Sequence, residues 1–227
     1  MPGQVVFNLF RFMCGEAVVT LKLFFLTLLF SLPLGLIVSL GRMKRYDGTN
    51  IILKMLHMLL QGVIRFYLLI MRGTPLILQL FFFYFFPFYV FGSTLPRFWA
   101  AVLSMSLNYA AYFAEIYRAG IESMPAGQYE AATVLGFGRV QRFFKIILPQ
   151  VIKRILPPMG NEFMTLVKDT ALVSVIGVQE IYGLATDWMT SMSSLIPLIM
   201  AGVFYLVMNA VVSKCFNLAE RKLSYYR

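Results

Sequence analysis

Long apolar runs divided by short basic segments constrain this chain more than any other feature. A hydrocarbon core roughly 30 Å thick takes about 20 apolar residues in a helix. Five stretches of the sequence reach that length, at about residues 17–40, 63–91, 97–117, 155–182 and 195–216. Of the 227 residues 59% are hydrophobic and 13% charged, against about 25% charged in soluble domains. With a mean hydropathy of +0.76, so apolar a chain cannot be enclosed in one soluble core. The expected fold class is therefore all-α: a single polytopic domain over 1–227 with about five transmembrane helices.

The net charge of +10 raises nucleic acid as a partner, but the basic residues do not form one stripe. They gather between apolar runs at 42–54, 118–154 and 214–227, whereas the alternate loops 92–97 and 183–194 carry only Arg97. Such alternation marks cytoplasmic loops. It predicts an extracytoplasmic N-terminus, a cytoplasmic C-terminus, five crossings and no nucleic-acid role. The start of the chain, with Arg11 and Glu16, reads as a retained signal anchor and not a cleaved leader. Residues 51–91 are too long for one crossing. The first part, with Lys54, His57, Gln61 and Arg65, reads as an amphipathic interfacial lead-in. Residues 92–96 and 183–194 read as turns. Cys14 and Cys215 are expected on opposite sides of the membrane and unbridged. No internal repeat is visible, so a two-fold pathway needs two chains.

The most informative loop is 118–154. Residues 130–135 are expected to form one short helix, with the small side chains of Ala131 and Ala132 permitting close approach of a partner. Gly136 and Gly138 supply a break, and 139–147 forms a second helix that Pro149 ends. Glu130-Ala131-Ala132, then Gly136, then Ile146, Leu148 and Pro149 resemble the EAA coupling loop of importer-type ABC permeases. In that family the loop's short helix docks on a cytoplasmic ATPase dimer, which holds ATP and Mg, and carries its closure into the membrane. Arg72-Gly73-Thr74-Pro75-Leu76, Asn108 with Tyr112 and Glu115-Ile116, Leu156-Pro157-Pro158 with Asn161, and Leu166 to Leu172 are similar to the polar amino-acid permeases. The resemblance implies a permease subunit in a bacterial inner (plasma) membrane. Its partners would be a second permease chain, identical or paralogous, an extracytoplasmic solute-binding protein and an amino-acid substrate. The aromatic stretch 81–91 is unusual for that pattern.

Ionisable residues inside a span default to functional hypotheses, since one costs at least about 2.5–3.5 kcal/mol at the bilayer centre. At Arg72–Pro75, proline removes a backbone donor and Gly73 loosens the helix, which is tolerated where a cavity is lined. The alternative is a simple kink with Arg72 reaching one interface. In the fourth span Glu162, Thr165, Leu166 and Asp169 share one face, with Asn161 and Lys168 on the adjoining stripe. If that helix starts near Ile155, Lys168 and Asp169 lie ~20 Å along it. Glu162 or Asp169 can receive the α-ammonium of a zwitterion, and Arg72 with Thr74 its α-carboxylate, because a guanidinium meets a carboxylate bidentately. The competing reading is that Lys168 and Asp169 form structural pairs. Glu115 and Arg118 are expected to pair locally.

His57 is the sole histidine, so a His-based metal site or triad lacks parts. No phosphate-cradling Gly-x4-Gly-Lys-[Ser/Thr] occurs. The chain is therefore expected to be a transport subunit without cofactors or catalysis of its own. A different small solute, or an ion-coupled carrier or channel, is the alternative; the latter leaves the 130–149 loop unexplained.

Overall fold

The computed structural model describes residues 3–44, 46 and 48–223; Arg45 of the first basic loop and Arg227 of the basic tail lie outside them. The described residues are overwhelmingly helical. α1 (Gly3–Met43) packs along α4 (Arg97–Glu122), the most enclosed helix of the bundle. The two approach closely at Gly35, where an added Cβ would sit 2.9 Å from the Ala110 carbonyl oxygen and from Phe113 Cβ. Small side chains let membrane helices pack this closely, because no hydrophobic drive separates helix from lipid. A core of Leu23, Leu28, Ala101, Met105, Phe113 and Leu166 joins α1 and α4 to the later helices.

Among the described residues three helices are long and apolar enough to cross a membrane: α1, α2 (Ile51–Gly73) and α9 (Ile196–Leu223). Of those with more polar residues, α4 lies between other helices, where polarity meets protein instead of lipid, whereas α7 (Leu148–Asp169) packs on α4 and α9 and keeps one polar side exposed.

Several expected boundaries move. α2 is continuous from Ile51, where Asn50 Oδ1 accepts from the Ile52 N–H at 3.0 Å, so no lead-in is separated at 62/63. The interruption falls instead at Thr74–Pro75, and α3 (Leu76–Phe91) follows. Proline has no N–H to continue the ladder. Residues 183–194, expected as a turn, are mostly helix: α8 (Ile181–Met192) starts because Glu180 Oε1 accepts from the Gly183 N–H at 2.8 Å, an N-cap. α7 begins at Leu148, well before Ile155, and lies antiparallel to α4. Ile155 abuts Gly120, Phe163 meets Phe113, and Asp169 meets Tyr109. The fourth apolar segment is not α-helical throughout either, because it tightens to a 3₁₀ helix at Thr170–Ile176.

In the loop between α4 and α7, α5 (Ala126–Val134) is longer than expected, and α6 (Arg139–Arg142) runs through a π turn at Phe143–Ile147 directly into α7. Pro149 therefore ends nothing: it directly follows the π turn, and the helix runs on through it into α7. Cys14 and Cys215 are both free.

Candidate functional site

The break between α2 and α3 is sealed from within. In an unbroken helix the Met71 carbonyl would receive the N–H of residue 75, and Pro75 has none. Two side-chain amides replace it: Asn108 Nδ2 donates to Met71 O at 2.8 Å and Gln79 Nε2 at 3.0 Å. Gln79 Nε2 also reaches the Thr74 carbonyl (3.1 Å) and hydroxyl oxygen (2.9 Å), and its own Oε1 accepts from Asn108 at 2.9 Å. A buried carbonyl left unpaired costs about 1–3 kcal/mol. The break therefore persists because α4 supplies the missing donor. At about 1.5 Å per residue Asn108 lies ~16 Å along α4 from Arg97, half the depth of a bilayer core. Thr74 itself is exposed, and its hydroxyl donates to the Ile70 carbonyl at 2.8 Å.

Across α4, the polar stripe of α7 arrives at the same depth. The Tyr109 hydroxyl donates to Asp169 Oδ2 at 2.8 Å. Glu162 lies within electrostatic reach of both Asp169 and Arg72. Leu166 and Val167 are buried, while Asn161, Thr165 and Lys168 face out of the chain. Thr165 donates back to the Asn161 carbonyl at 3.0 Å. Lys168 is close enough to Asp169 to act on it electrostatically, yet it makes no ion pair among the described residues. Asp169 ends the α-helical part of this segment, so the stripe stops where the chain tightens. Runs of 3₁₀ helix beyond three or four residues are uncommon and often mark a hinge.

Arg72 belongs to a second constellation as well. Its guanidinium stands 5.6 Å over the Tyr112 ring, and its Nη1 is 3.6 Å from Glu115 Oε2. Glu115 does pair with Arg118 (2.8 Å), as the i, i+3 spacing implies, but it also takes Arg42 from the end of α1. One carboxylate with 14% of its side chain exposed thus gathers three guanidinium groups from three helices. A cleft of about 490 Å³ opens beside it, lined by Arg72, Glu115, Arg118, Arg154, Ile155 and Pro158 among others. Nothing in the local sequence around Glu115 announces Arg42, which is distant in the chain.

A further carboxylate escaped the sequence reading. Glu180 is fully buried. Besides capping α8 it accepts from the Tyr205 hydroxyl at 2.5 Å and from Thr20 at 3.4 Å. Three hydrogen bonds satisfy it and tie α1, α8 and α9 together. The available signal was an acidic residue just before a Gly-containing helical start.

At the opposite end of α7 the α5 loop projects. Its helix ends in a Schellman motif: Phe137 N–H donates to Ala132 O, and Gly136 N–H to Thr133 O, both at 3.0 Å. Gly136 takes φ +78°, the left-handed region expected of it, whereas Gly138 does not (φ −64°). Arg142 braces the turn through the Thr133 hydroxyl at 2.6 Å. Ala132 and Ile147 are buried, Ile146, Leu148 and Pro149 are half-buried, and Glu130, Ala131, Val134 and Leu135 are exposed. The outward side of α5 is thus partly apolar and unpartnered within the chain.

Apolar helices around a helix break, with a short helix projecting beyond the bundle, have the form of a polytopic membrane protein. The chain belongs to the family of binding-protein-dependent transport system inner membrane components, whose pattern matches residues 51–225. Among relatives, the arginine transport system permease protein ArtQ of Bacillus subtilis is 36% identical over 90% of this chain and 89% of its own length. The octopine transport system permease protein OccM of Rhizobium radiobacter is 39% identical over 69% of this chain and 67% of its own. A crystal structure of an amino acid ABC transporter with histidines has a TM-score of 0.83 at 33% identity, covering 98% of this chain and 99% of that one.

Proposed function

We propose that this chain is the membrane-spanning subunit of an ATP-driven importer of a polar or charged amino acid. The family match carries the importer reading, and the relatives named for arginine and octopine transport support the substrate class. The engine is a separate cytoplasmic ATPase dimer holding ATP and Mg. A solute-binding protein delivers substrate from outside, and a second permease chain, identical or paralogous, completes the pathway. The chain crosses a bacterial inner membrane five times, N-terminus out and C-terminus in.

The exposed side of α5, with Glu130, Ala131, Val134 and Leu135, rests on the ATPase. Ala132, Gly136, Ile146, Leu148 and Pro149 form the braced turn that passes its movement to α7. Closure of the ATPases on nucleotide then switches the spans from inward to outward access. Glu162 or Asp169 receives the α-ammonium of the substrate. Arg72 and Thr74 receive its α-carboxylate, and Asn161, Thr165 and Lys168 complete the lining from the outward side of α7. The outward exposure of these last three supports their facing a pathway shared with another chain.

The test is reconstitution with the ATPase and binding protein in vesicles. Uptake should require ATP inside, and unlabelled basic and polar amino acids should compete with labelled arginine. Uptake without nucleotide would overturn the importer reading, and competition by none of the common amino acids would overturn the substrate class.

A further inference from the structure

The segment that follows Asp169 is held chiefly by its own bonds. Thr170–Ile176 is a 3₁₀ helix of seven residues, longer than such runs usually persist. It carries no charged side chain, so turning it about its axis moves no charge through the core. The Thr170 hydroxyl donates to the Val167 carbonyl at 2.7 Å and the Ser174 hydroxyl to the Ala171 carbonyl at 2.8 Å. The run ends at Gly177 in the left-handed region (φ +73°), where the Gly177 N–H donates to the Ser174 carbonyl at 2.9 Å.

Arg97 supplies a hold from outside. It opens α4, where a cation opposes the positive end of the helix dipole, and it makes no ion pair among the described residues. Its Nη1 donates to the Gly177 carbonyl at 3.4 Å, and its Nε to the hydroxyl of Tyr84 in α3, also at 3.4 Å. An added Cβ on Gly177 would sit 2.8 Å from that Nη1. Glycine there serves both the turn and the approach of the guanidinium. Among the described residues no other helix donates a hydrogen bond to the backbone of 170–177.

The 3₁₀ and α forms of this segment differ in length and in facing. At about 2.0 Å per residue against about 1.5 Å, rewinding the seven residues to α shortens them by about 3.5 Å. It also turns Ile176 by about 140° relative to Asp169, at about 20° per residue. The contact on Gly177 is already long, and its arginine is braced on Tyr84, so rewinding breaks it.

We propose that Thr170–Ile176 is a hinge between 3₁₀ and α forms, and that Arg97 is the positioning residue that holds the 3₁₀ form through the Gly177 carbonyl. The part this hinge plays in transport, moving Asp169 relative to α8, rests on the importer reading above; the hold by Arg97 does not.

The experiment is hydrogen–deuterium exchange, read by mass spectrometry, on the full-length chain assembled with its ATPase in lipid nanodiscs. Without nucleotide, Arg97→Gln should speed exchange within 170–178 about fivefold, equivalent to about 1 kcal/mol for one hydrogen bond. Exchange in α5 should stay as in wild type. Arg97→Lys, which keeps a donor, should retain most of the protection. Tyr84→Phe, which removes only the brace, should speed exchange less than Arg97→Gln does. Unchanged exchange in Arg97→Gln, or a rise spread over the whole chain, would overturn the hold. In wild type a non-hydrolysable ATP analogue should speed exchange in the same segment. No response to the analogue, beside a clear effect of Arg97→Gln, would overturn the hinge's part in transport and leave the hold standing.

Discussion

Glu115 and the α7 stripe handle charge in opposite ways. Around Glu115 three guanidinium groups converge on one carboxylate, and the charges are largely answered inside the chain. Along α7, Asp169 has one hydroxyl donor, Glu162 has electrostatic neighbours but no hydrogen bond among the described residues, and Lys168 faces outward without an ion pair. A charge satisfied at home holds helices together. A charge left open at mid-depth is costly unless something from outside answers it. The first arrangement therefore reads as construction, and the second fits the proposed site for a charged solute.

The largest expected break in that contrast is Glu115→Gln. Removing the shared carboxylate leaves Arg42 and Arg72 without their ion-pair partner and Arg118 with Glu122 alone. Breaking such a pair from one side costs on the order of 3–5 kcal/mol. The expected result is a sharp fall in membrane-inserted protein and in thermal midpoint in detergent. An unchanged midpoint would mean that Glu115 holds nothing. Next comes Asn108→Ala, which strips the Met71 carbonyl of its shorter donor and should destabilise by about 1–3 kcal/mol. Pro75→Ala in that background restores the missing N–H, and the double variant should recover most of the loss. A purely additive double variant would refute the account of the break.

These two variants also mark what the sequence made legible. The long apolar runs, the basic loop and the glycine at 136 were readable because each rests on local chemistry: span length, charge alternation and a left-handed turn. Proline at 75 announced a weak point, but not that Asn108 would close it, since that donor comes from another helix. Arg42 and Glu115 meet through tertiary packing that no spacing rule anticipates. Glu180 was hidden differently: its span was expected to continue as one α-helix to 182, and a cap has no place inside a helix. Pro149 misled because the helix takes a π turn just before it and so runs on where a proline would ordinarily break it.

On the open side of the contrast, Glu162→Gln and Asp169→Asn should lower ATP-dependent uptake about tenfold each, equivalent to about 1.4 kcal/mol. Thermal midpoints should stay near wild type, since both variants keep the shape of the side chain. Normal affinity and turnover in both would remove α7 from substrate recognition. Equal losses of uptake and stability would move these carboxylates into the structural class with Glu115.

The smallest effect is the sharpest, because Arg72 stands in both regions: 3.6 Å from Glu115 and within reach of Glu162. Arg72→Lys keeps the charge and removes the planar fork. The contact with Glu115 is long and 42% of the Arg72 side chain is exposed, so the stability change should stay within about 1 kcal/mol. A substrate carboxylate held bidentately would feel the loss more, and KM for uptake should rise about threefold with little change in turnover, because a ground-state contact is removed. A lower thermal midpoint with unchanged KM would place Arg72 wholly with Glu115, leaving the substrate carboxylate to the outward-facing Lys168 of α7.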